Sequence, residues 1–197
     1  MCLGGATAAA ESRPSILVFG DSLSAGYGLP LGRGWVDLLR QRLAENATPF
    51  EVVNASVSGE TTLGGRNRLP AALAQHRPRA VVLQLGANDA LRGQSLERMR
   101  ENLTAMVKAS RAAGAEVLLV GMQIPPNYGQ QYTRKFQSAY AEVAREQKVP
   151  LVPFLLEGFG ARRTLFQADG IHPTAEAQAL MLETVWKELE PMLDRLR

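Results

Sequence analysis

The sequence is poor in the residues that cross-link a fold or bind metal ions. Cys2 is the single cysteine among 197 residues, so no disulfide can form within the chain and packing must stabilise the fold. Two histidines occur, and metal sites commonly draw several of their ligands from histidine and cysteine. We therefore expect neither a metal ion nor another cofactor.

Long apolar runs and runs of like charge are also missing. No stretch approaches the about 18 consecutive apolar residues of a membrane-spanning helix, so no integral membrane segment is expected. The net charge is +3, and the arginines are scattered over several predicted helices. A nucleic-acid-binding surface usually concentrates its cations, so nucleic acid is not an expected partner.

The first residues of the chain have a composition of their own. Residues 1–10, MCLGGATAAA, are small and apolar and contain two overlapping Ala-x-Ala patterns. That pattern is typical of the end of a secretory signal, here without its charged and long apolar parts. An unstructured N-terminal extension explains the same residues equally well. We assign residues 1–14 to a tail and residues 15–197 to a single domain.

Short apolar runs alternate with segments of helical spacing along the rest of the chain. A helix over 65–75 is expected to start or kink near Pro70, and Pro173 suits the first turn of the last helix. The alternation predicts an α/β fold of three layers, in which helices cover both faces of a five-stranded parallel sheet of order 2-1-3-4-5. The predicted strands are 16–19, 50–54, 80–86, 116–120 and 151–152, and the predicted helices are 35–46, 65–75, 98–113, 133–147 and 174–195.

A serine stands directly beyond the first predicted strand, in ILVFGDSLSAG at residues 16–26. Asp21 is expected to brace this turn and to take no part in chemistry. In a 2-1-3-4-5 sheet, ligands bind where the carboxyl ends of strands one, two and three meet. The loops that carry Ser22, Gly59 and Asn88 therefore converge on one crevice, and Ser22 is the candidate nucleophile.

A serine hydroxyl needs a base to take its proton, and histidine is the usual base near neutral pH. His76 precedes the third strand and is expected at the opposite, amino end of the sheet. His172 lies in the last loop, which can fold over the carboxyl ends. Asp169 stands three residues before it and can accept the Nδ1–H of the imidazole, which aims Nε2 at Ser22.

Acyl transfer also needs hydrogen-bond donors for the negative charge that develops on the carbonyl oxygen. The backbone N–H groups of Ser22 and Gly59 and the side-chain amide of Asn88 are the candidates. A glycine suits position 59 because the backbone there must either approach the substrate closely or adopt a strained angle.

Four short blocks of the chain resemble the sequence blocks of the GDSL, or SGNH, hydrolases. They occur in the family's order, and the resemblance covers roughly residues 15–195. Two further segments, residues 91–93 and 124–129, resemble the branch of bacterial periplasmic thioesterases, arylesterases and lysophospholipases. The four blocks are GDSLS at 20–24, SGETT at 58–62, GAND at 86–89 and DGIHP at 169–173.

The resemblance implies the SGNH hydrolase fold and a role for each block. It implies that Ser22 is the nucleophile, His172 the general base and Asp169 its orienting partner. Ser22, Gly59 and Asn88 would form the oxyanion hole. The implied activity is hydrolysis of acyl esters, such as aryl esters and lysophospholipids, and of acyl thioesters through an acyl-enzyme. The implied location is periplasmic or secreted.

An acyl chain needs an apolar surface beside the reacting carbonyl. The candidate substrate-binding residues come from the two loops after the third and fourth strands: Leu91, Ile124, Pro125 and Tyr128.

Two other functions remain open at this point. A metal-dependent phosphoesterase would use Asp21, Asn88, Asp89, Asp169 and His172, although one histidine near the crevice is few for a two-metal site. A non-catalytic module would bind a small polar ligand in the same crevice.

Overall fold

The computed structural model describes residues 13–197. The predicted tail at residues 1–14 lies outside the described residues except for its last two positions. The domain's five strands are β1 Ser15–Gly20, β2 Glu51–Asn54, β3 Ala80–Gln84, β4 Glu116–Val120 and β5 Leu151–Val152. They run parallel in one sheet of order β2-β1-β3-β4-β5, which confirms the predicted order.

The register of the strands aligns their carboxyl ends at one edge of the sheet. Ile16 of β1 lies opposite Val52 of β2 and Ala80 of β3. Every residue of β1 and of β3 is buried, because helices cover the sheet on both sides. This double burial explains why the residues of both strands are mainly apolar, with Ser15 and Gln84 as the polar exceptions at their ends.

Two helical layers enclose the sheet. The helices are α1 Ser22–Ala25, α2 Trp35–Glu45, α3 Thr62–His76, α4 Ala87–Leu91, α5 Leu96–Ala112, α6 Gln130–Gln147 and α7 Gln178–Asp194. α2 and α7 pack on one face, against side chains such as Ile16 and Val82. α3, α5 and α6 pack on the other face, against side chains such as Phe19 and Leu83.

The start of α3 differs from the prediction. The helix begins at Thr62, where the Thr61 hydroxyl oxygen accepts the N–H of Gly64 at 3.3 Å as an N-cap. Pro70 lies in the interior of α3, so the helix does not start there, and the other predicted alternative, a kink near Pro70, stays a prediction. The two glycines of the first turn lower its helix propensity, which hid the start.

The start of the last helix differs as well. Pro173 precedes the helix and forms an isolated antiparallel bridge with Phe166. A 3₁₀ turn at Ala175–Ala177 follows, and α7 begins only at Gln178. Pro173 therefore anchors the loop of the last sequence block and does not open a helix.

The opposite edge of the sheet carries the other histidine. The backbone carbonyl of His76, at the end of α3, accepts a hydrogen bond from the hydroxyl of Ser15, the first residue of β1, at 3.1 Å. His76 therefore lies at the amino edge, as the sequence predicts, and far from the carboxyl ends. Across residues 13–197, no helix is both long enough and apolar enough to cross a membrane.

Candidate active site

Ser22 is the first residue of α1, immediately beyond β1. The Asp21 carboxylate caps this short helix by accepting the N–H of Leu23 at 3.0 Å. Gly26 ends the helix in the left-handed conformation, and its N–H is bonded to the Ser22 carbonyl. One helical turn between two tight caps fixes the backbone of Ser22 and leaves its side chain half-buried at the sheet edge.

Gly20 lets two buried polar side chains pack under this turn. The Ser24 hydroxyl donates to the Gln84 amide oxygen at 2.6 Å, and both residues are almost fully buried. A Cβ at position 20 would lie 2.7 Å from that amide oxygen and 2.8 Å from the Ser24 hydroxyl. A larger residue at position 20 would therefore displace the turn that carries Ser22.

Asp21 lies beneath the turn with its charge buried. Burial raises the pKa of its carboxyl to about 6, although the hydrogen bond from the Leu23 N–H opposes that rise. The expected bracing role agrees with this hydrogen bond.

His172 is hydrogen-bonded at both ring nitrogens. Its Nε2 lies 2.9 Å from the Ser22 hydroxyl oxygen, and its Nδ1 lies 2.7 Å from an Asp169 carboxylate oxygen. The three side chains thus form a continuous hydrogen-bonded chain, although 150 positions separate Ser22 from His172. This geometry is that of a nucleophile, a base and a group that orients the base.

The Asp169 carboxylate is fixed by its own loop. Its other oxygen accepts the backbone N–H groups of Ile171 at 2.9 Å and His172 at 3.0 Å. The bond with the His172 side chain and these two N–H groups lower the pKa of Asp169 to about 2. Asp169 is therefore ionised at any pH near neutrality and is a strong acceptor for the imidazole.

The three predicted oxyanion-hole residues, Ser22, Gly59 and Asn88, all line one cavity. Gly59 has a φ of +79°, a left-handed backbone conformation that suits glycine. Within residues 13–197 its N–H donates to no acceptor. The Asn88 amide donates one hydrogen to the Glu60 carbonyl at 3.0 Å, which fixes the amide and leaves its second N–H for a ligand.

A buried network that the sequence did not reveal holds α4, the helix of Asn88. The Asp89 carboxylate accepts both the backbone N–H of Thr62, at 2.9 Å, and the Thr62 hydroxyl. Asn102 donates to the same hydroxyl oxygen at 3.1 Å. This network joins the starts of α3 and α4 to α5 and so fixes the backbone beneath Asn88.

The cavity has a volume of about 1270 Å³. Of the four predicted substrate-binding residues, Leu91, Ile124 and Pro125 line it, whereas Tyr128 is not among the described residues that do so. Tyr128 belongs to a 3₁₀ turn after β4 and is 40% exposed. Further apolar side chains that line the cavity come from the irregular segment after β5: Phe154, Leu156, Phe159 and Phe166. The sequence did not predict them, because this segment has neither helical nor strand periodicity.

The three carboxylates of the alternative metal site are each engaged in a different hydrogen bond. Asp89 accepts a hydrogen bond from Thr62, Asp169 is hydrogen-bonded to His172, and Asp21 accepts the N–H of Leu23 as the cap of α1. Throughout residues 13–197, no three His, Cys, Asp or Glu side chains are grouped so that they could hold a metal ion. The metal-dependent alternative therefore has no ligand cluster in the part of the chain that the structure describes.

A parallel sheet covered by helices on both faces, with a hydrogen-bonded serine, histidine and aspartate at the carboxyl ends of its strands, defines a serine hydrolase of α/β fold. The model of the GDSL-like lipase/acylhydrolase family matches residues 18–180. The chain belongs to that family, which confirms the predicted family membership.

Curated relatives agree with this assignment over nearly the whole chain. Esterase TesA of Pseudomonas aeruginosa is 50% identical over 179 residues, covering 91% of this chain and 89% of the relative. Thioesterase 1/protease 1/lysophospholipase L1 of Escherichia coli K12 is 39% identical over 185 residues, covering 94% of this chain and 88% of the relative.

A solved structure supports the fold. The psychrotrophic esterase EstA from Pseudoalteromonas sp., inhibited by monoethylphosphonate, has a TM-score of 0.87 and 39% identity, covering 91% of this chain and 98% of that chain. The predictions of an SGNH-type α/β fold and of an ester hydrolase are confirmed. The roles of individual residues stay predictions.

Proposed function

We propose that the chain hydrolyses acyl esters and acyl thioesters through an acyl-enzyme formed on Ser22. The observation that carries this proposal is the hydrogen-bonded chain from Asp169 through His172 to Ser22, with distances of 2.7 and 2.9 Å, at the wall of the cavity. Membership of the GDSL-like lipase/acylhydrolase family supports the same chemistry.

The proposed reaction uses the contacts of His172 with Ser22 and with Asp169. His172 Nε2 takes the proton of the Ser22 hydroxyl as its oxygen attacks the acyl carbonyl carbon. The same nitrogen then gives that proton to the departing alcohol or thiol, which leaves the acyl group on Ser22. A water molecule gives a proton to His172 as it attacks the acyl-enzyme; His172 then returns that proton to the Ser22 oxygen as the bond to the acyl group breaks, which releases the carboxylic acid and restores the free enzyme. Asp169 stabilises the imidazolium that forms in both halves of the reaction.

The negative charge on the substrate oxygen is stabilised by three donors in this proposal. These are the N–H groups of Ser22 and Gly59 and the second side-chain N–H of Asn88. Asn88→Ala should lower kcat by about 10²- to 10³-fold, the usual cost of one oxyanion donor, with a much smaller change in KM. Steady-state kinetics on a short-chain aryl ester measures both constants.

The matched control for this prediction is Asn127→Ala, which truncates an exposed asparagine outside the cavity lining. A kcat for Asn88→Ala within twofold of the control, in a folded protein, would remove Asn88 from the oxyanion hole.

The cavity lining favours an acyl chain as the bound part of the substrate. Leu91, Ile124 and Pro125 line the cavity together with phenylalanines from the segment after β5. Each methylene of the chain that becomes buried should raise kcat/KM by up to about fourfold, until the chain fills the cavity. A chain-length series on both aryl esters and acyl thioesters measures this dependence, and a flat series on both would contradict an apolar acyl site.

The proposal also covers the substrates, the catalytic domain and the cellular location. The substrates are small molecules: aryl esters, lysophospholipids and acyl thioesters. Residues 15–197 form one catalytic domain. The Ala-x-Ala patterns in residues 1–10 support a periplasmic or secreted location. Fractionation of cells that express the full gene tests the location, and activity confined to the cytosol would contradict it.

A further inference from the structure

One face of the His172 imidazole is covered by an aromatic ring. The ring centroids of Tyr27 and His172 lie 4.5 Å apart, with 40° between the ring planes. The proposed reaction uses both nitrogens at the edge of the imidazole and assigns nothing to its faces. Tyr27 lies in the loop after α1 and lines the cavity, yet its side chain is half exposed.

Gln167 ties the Tyr27 loop to the His172 loop. Its side-chain amide donates to the Tyr27 carbonyl at 2.9 Å and to the Pro173 carbonyl at 3.1 Å. Its backbone N–H donates to the His172 carbonyl at 2.8 Å. One residue thus bonds both to the loop that carries the covering ring and to the residues that carry the base.

Gly28 makes room for this connection. A Cβ at position 28 would lie 2.1 Å from the Gln167 amide oxygen, and the φ of Gly28 is +73°. Any side chain at that position would push Gln167 away from the Tyr27 carbonyl. The absence of a side chain at Gly28 therefore lets the Gln167 amide bond to the Tyr27 carbonyl, which is 140 positions away in the sequence.

The orientation of the imidazole needs such support because its partner is near water. The Asp169 side chain is 37% exposed, so solvent competes for the bond with Nδ1. Rotation of the imidazole about its Cβ–Cγ bond would carry Nδ1 away from Asp169 and Nε2 away from Ser22, and this motion moves the ring faces toward whatever packs on them. A flat ring at 4.5 Å opposes that rotation.

We propose that Tyr27 is a positioning residue for the general base: its ring, held by Gln167, keeps the His172 imidazole in the plane that serves both Ser22 and Asp169. This inference rests on the proposed function, since it assigns His172 the role of base. Tyr27 touches no reacting atom in this role and acts through His172.

The test compares Tyr27→Leu with Tyr27→Phe. Leucine keeps an apolar cover but lacks the flat ring, so kcat on a short-chain aryl ester should fall about 3- to 10-fold with KM within about twofold. The rate at which a fluorophosphonate labels Ser22 should fall by the same factor. Phenylalanine keeps the ring face, and within residues 13–197 the Tyr27 hydroxyl forms no hydrogen bond, so Phe should restore both rates.

Two further variants complete the test. Gln167→Leu removes both side-chain hydrogen bonds of Gln167 and should lower kcat as much as Tyr27→Leu does. The double variant Tyr27→Leu/Gln167→Leu should have a kcat no lower than that of the slower single variant, because both changes act on one contact. Leu31→Ala truncates a fully exposed side chain in the loop that carries Tyr27 and should leave kcat unchanged. Thermal melting checks that each variant is folded.

The outcomes separate this inference from the proposed function. If the fluorophosphonate does not label Ser22 in the unmodified protein, the proposed function fails. If Ser22 is labelled equally fast in the unmodified protein and in folded Tyr27→Leu, only the positioning role fails. A rise in KM alone, or a Phe variant as slow as the Leu variant, would also overturn it, because Tyr27 would then contact substrate or act through its hydroxyl.

Discussion

Replacing Ser22 by alanine is expected to lower kcat for a short-chain aryl ester on the order of 10⁶-fold and to abolish labelling by a fluorophosphonate. The hydroxyl oxygen is the atom that forms the acyl-enzyme, and it lies 2.9 Å from the only proposed base. Without it, the oxyanion donors and the cavity remain, so a small residual acceleration over water should persist. Initial rates and mass spectrometry of the labelled protein measure both effects.

His172→Ala should cost about as much as Ser22→Ala, and the double variant should be no slower than either single one, because the two residues act as one unit. Two changes serve as matched controls. Ser138→Ala alters an exposed serine on α6, and His76→Ala alters the histidine at the opposite edge of the sheet. Substantial turnover by folded Ser22→Ala would end the proposal of an acyl-enzyme on this residue.

The architecture could be predicted because the strands carry their environment in their sequence. β1 and β3 are buried on both faces and so consist mainly of apolar residues. The order of the strands follows from the alternation of strands with helices and the usual way in which such sheets are wound. The short helices α1 and α4 were not predicted, because one turn is too short to show a period of 3.6 residues.

In the candidate site, contacts between residues close in sequence could be predicted, whereas contacts between distant segments could not. Asp169 and His172 are three residues apart and share one turn, so their pairing could be predicted from spacing. The bond between Asp89 and Thr62 spans 27 positions, and the bond from Gln167 to Tyr27 spans 140. Neither involves a periodic pattern or a motif that names both partners. Contacts of this kind depend on how loops pack, and spacing along the chain does not encode them.

Replacing Asp169 by asparagine should lower kcat about 10³- to 10⁴-fold while leaving the loop intact. The amide oxygen of asparagine can still accept the N–H groups of Ile171 and His172, which hold this turn at 2.9 and 3.0 Å. The amide nitrogen, however, would face Nδ1 as a donor and favour the imidazole tautomer whose proton is on Nε2. That tautomer cannot accept the proton of Ser22.

The pH dependence makes this prediction sharper. The hydrogen bond with His172 and two backbone N–H groups lower the pKa of Asp169 to about 2, so the carboxylate stays ionised as pH falls from 9 to 5. The activity ratio of the unmodified protein to Asp169→Asn should therefore stay well above tenfold over that whole range, because Asp169 itself does not titrate in it. Profiles of kcat/KM for both proteins measure the ratio, with Asp194→Asn, an exposed carboxylate on α7, as the control. A ratio below tenfold near pH 8 would show that His172 needs no carboxylate partner.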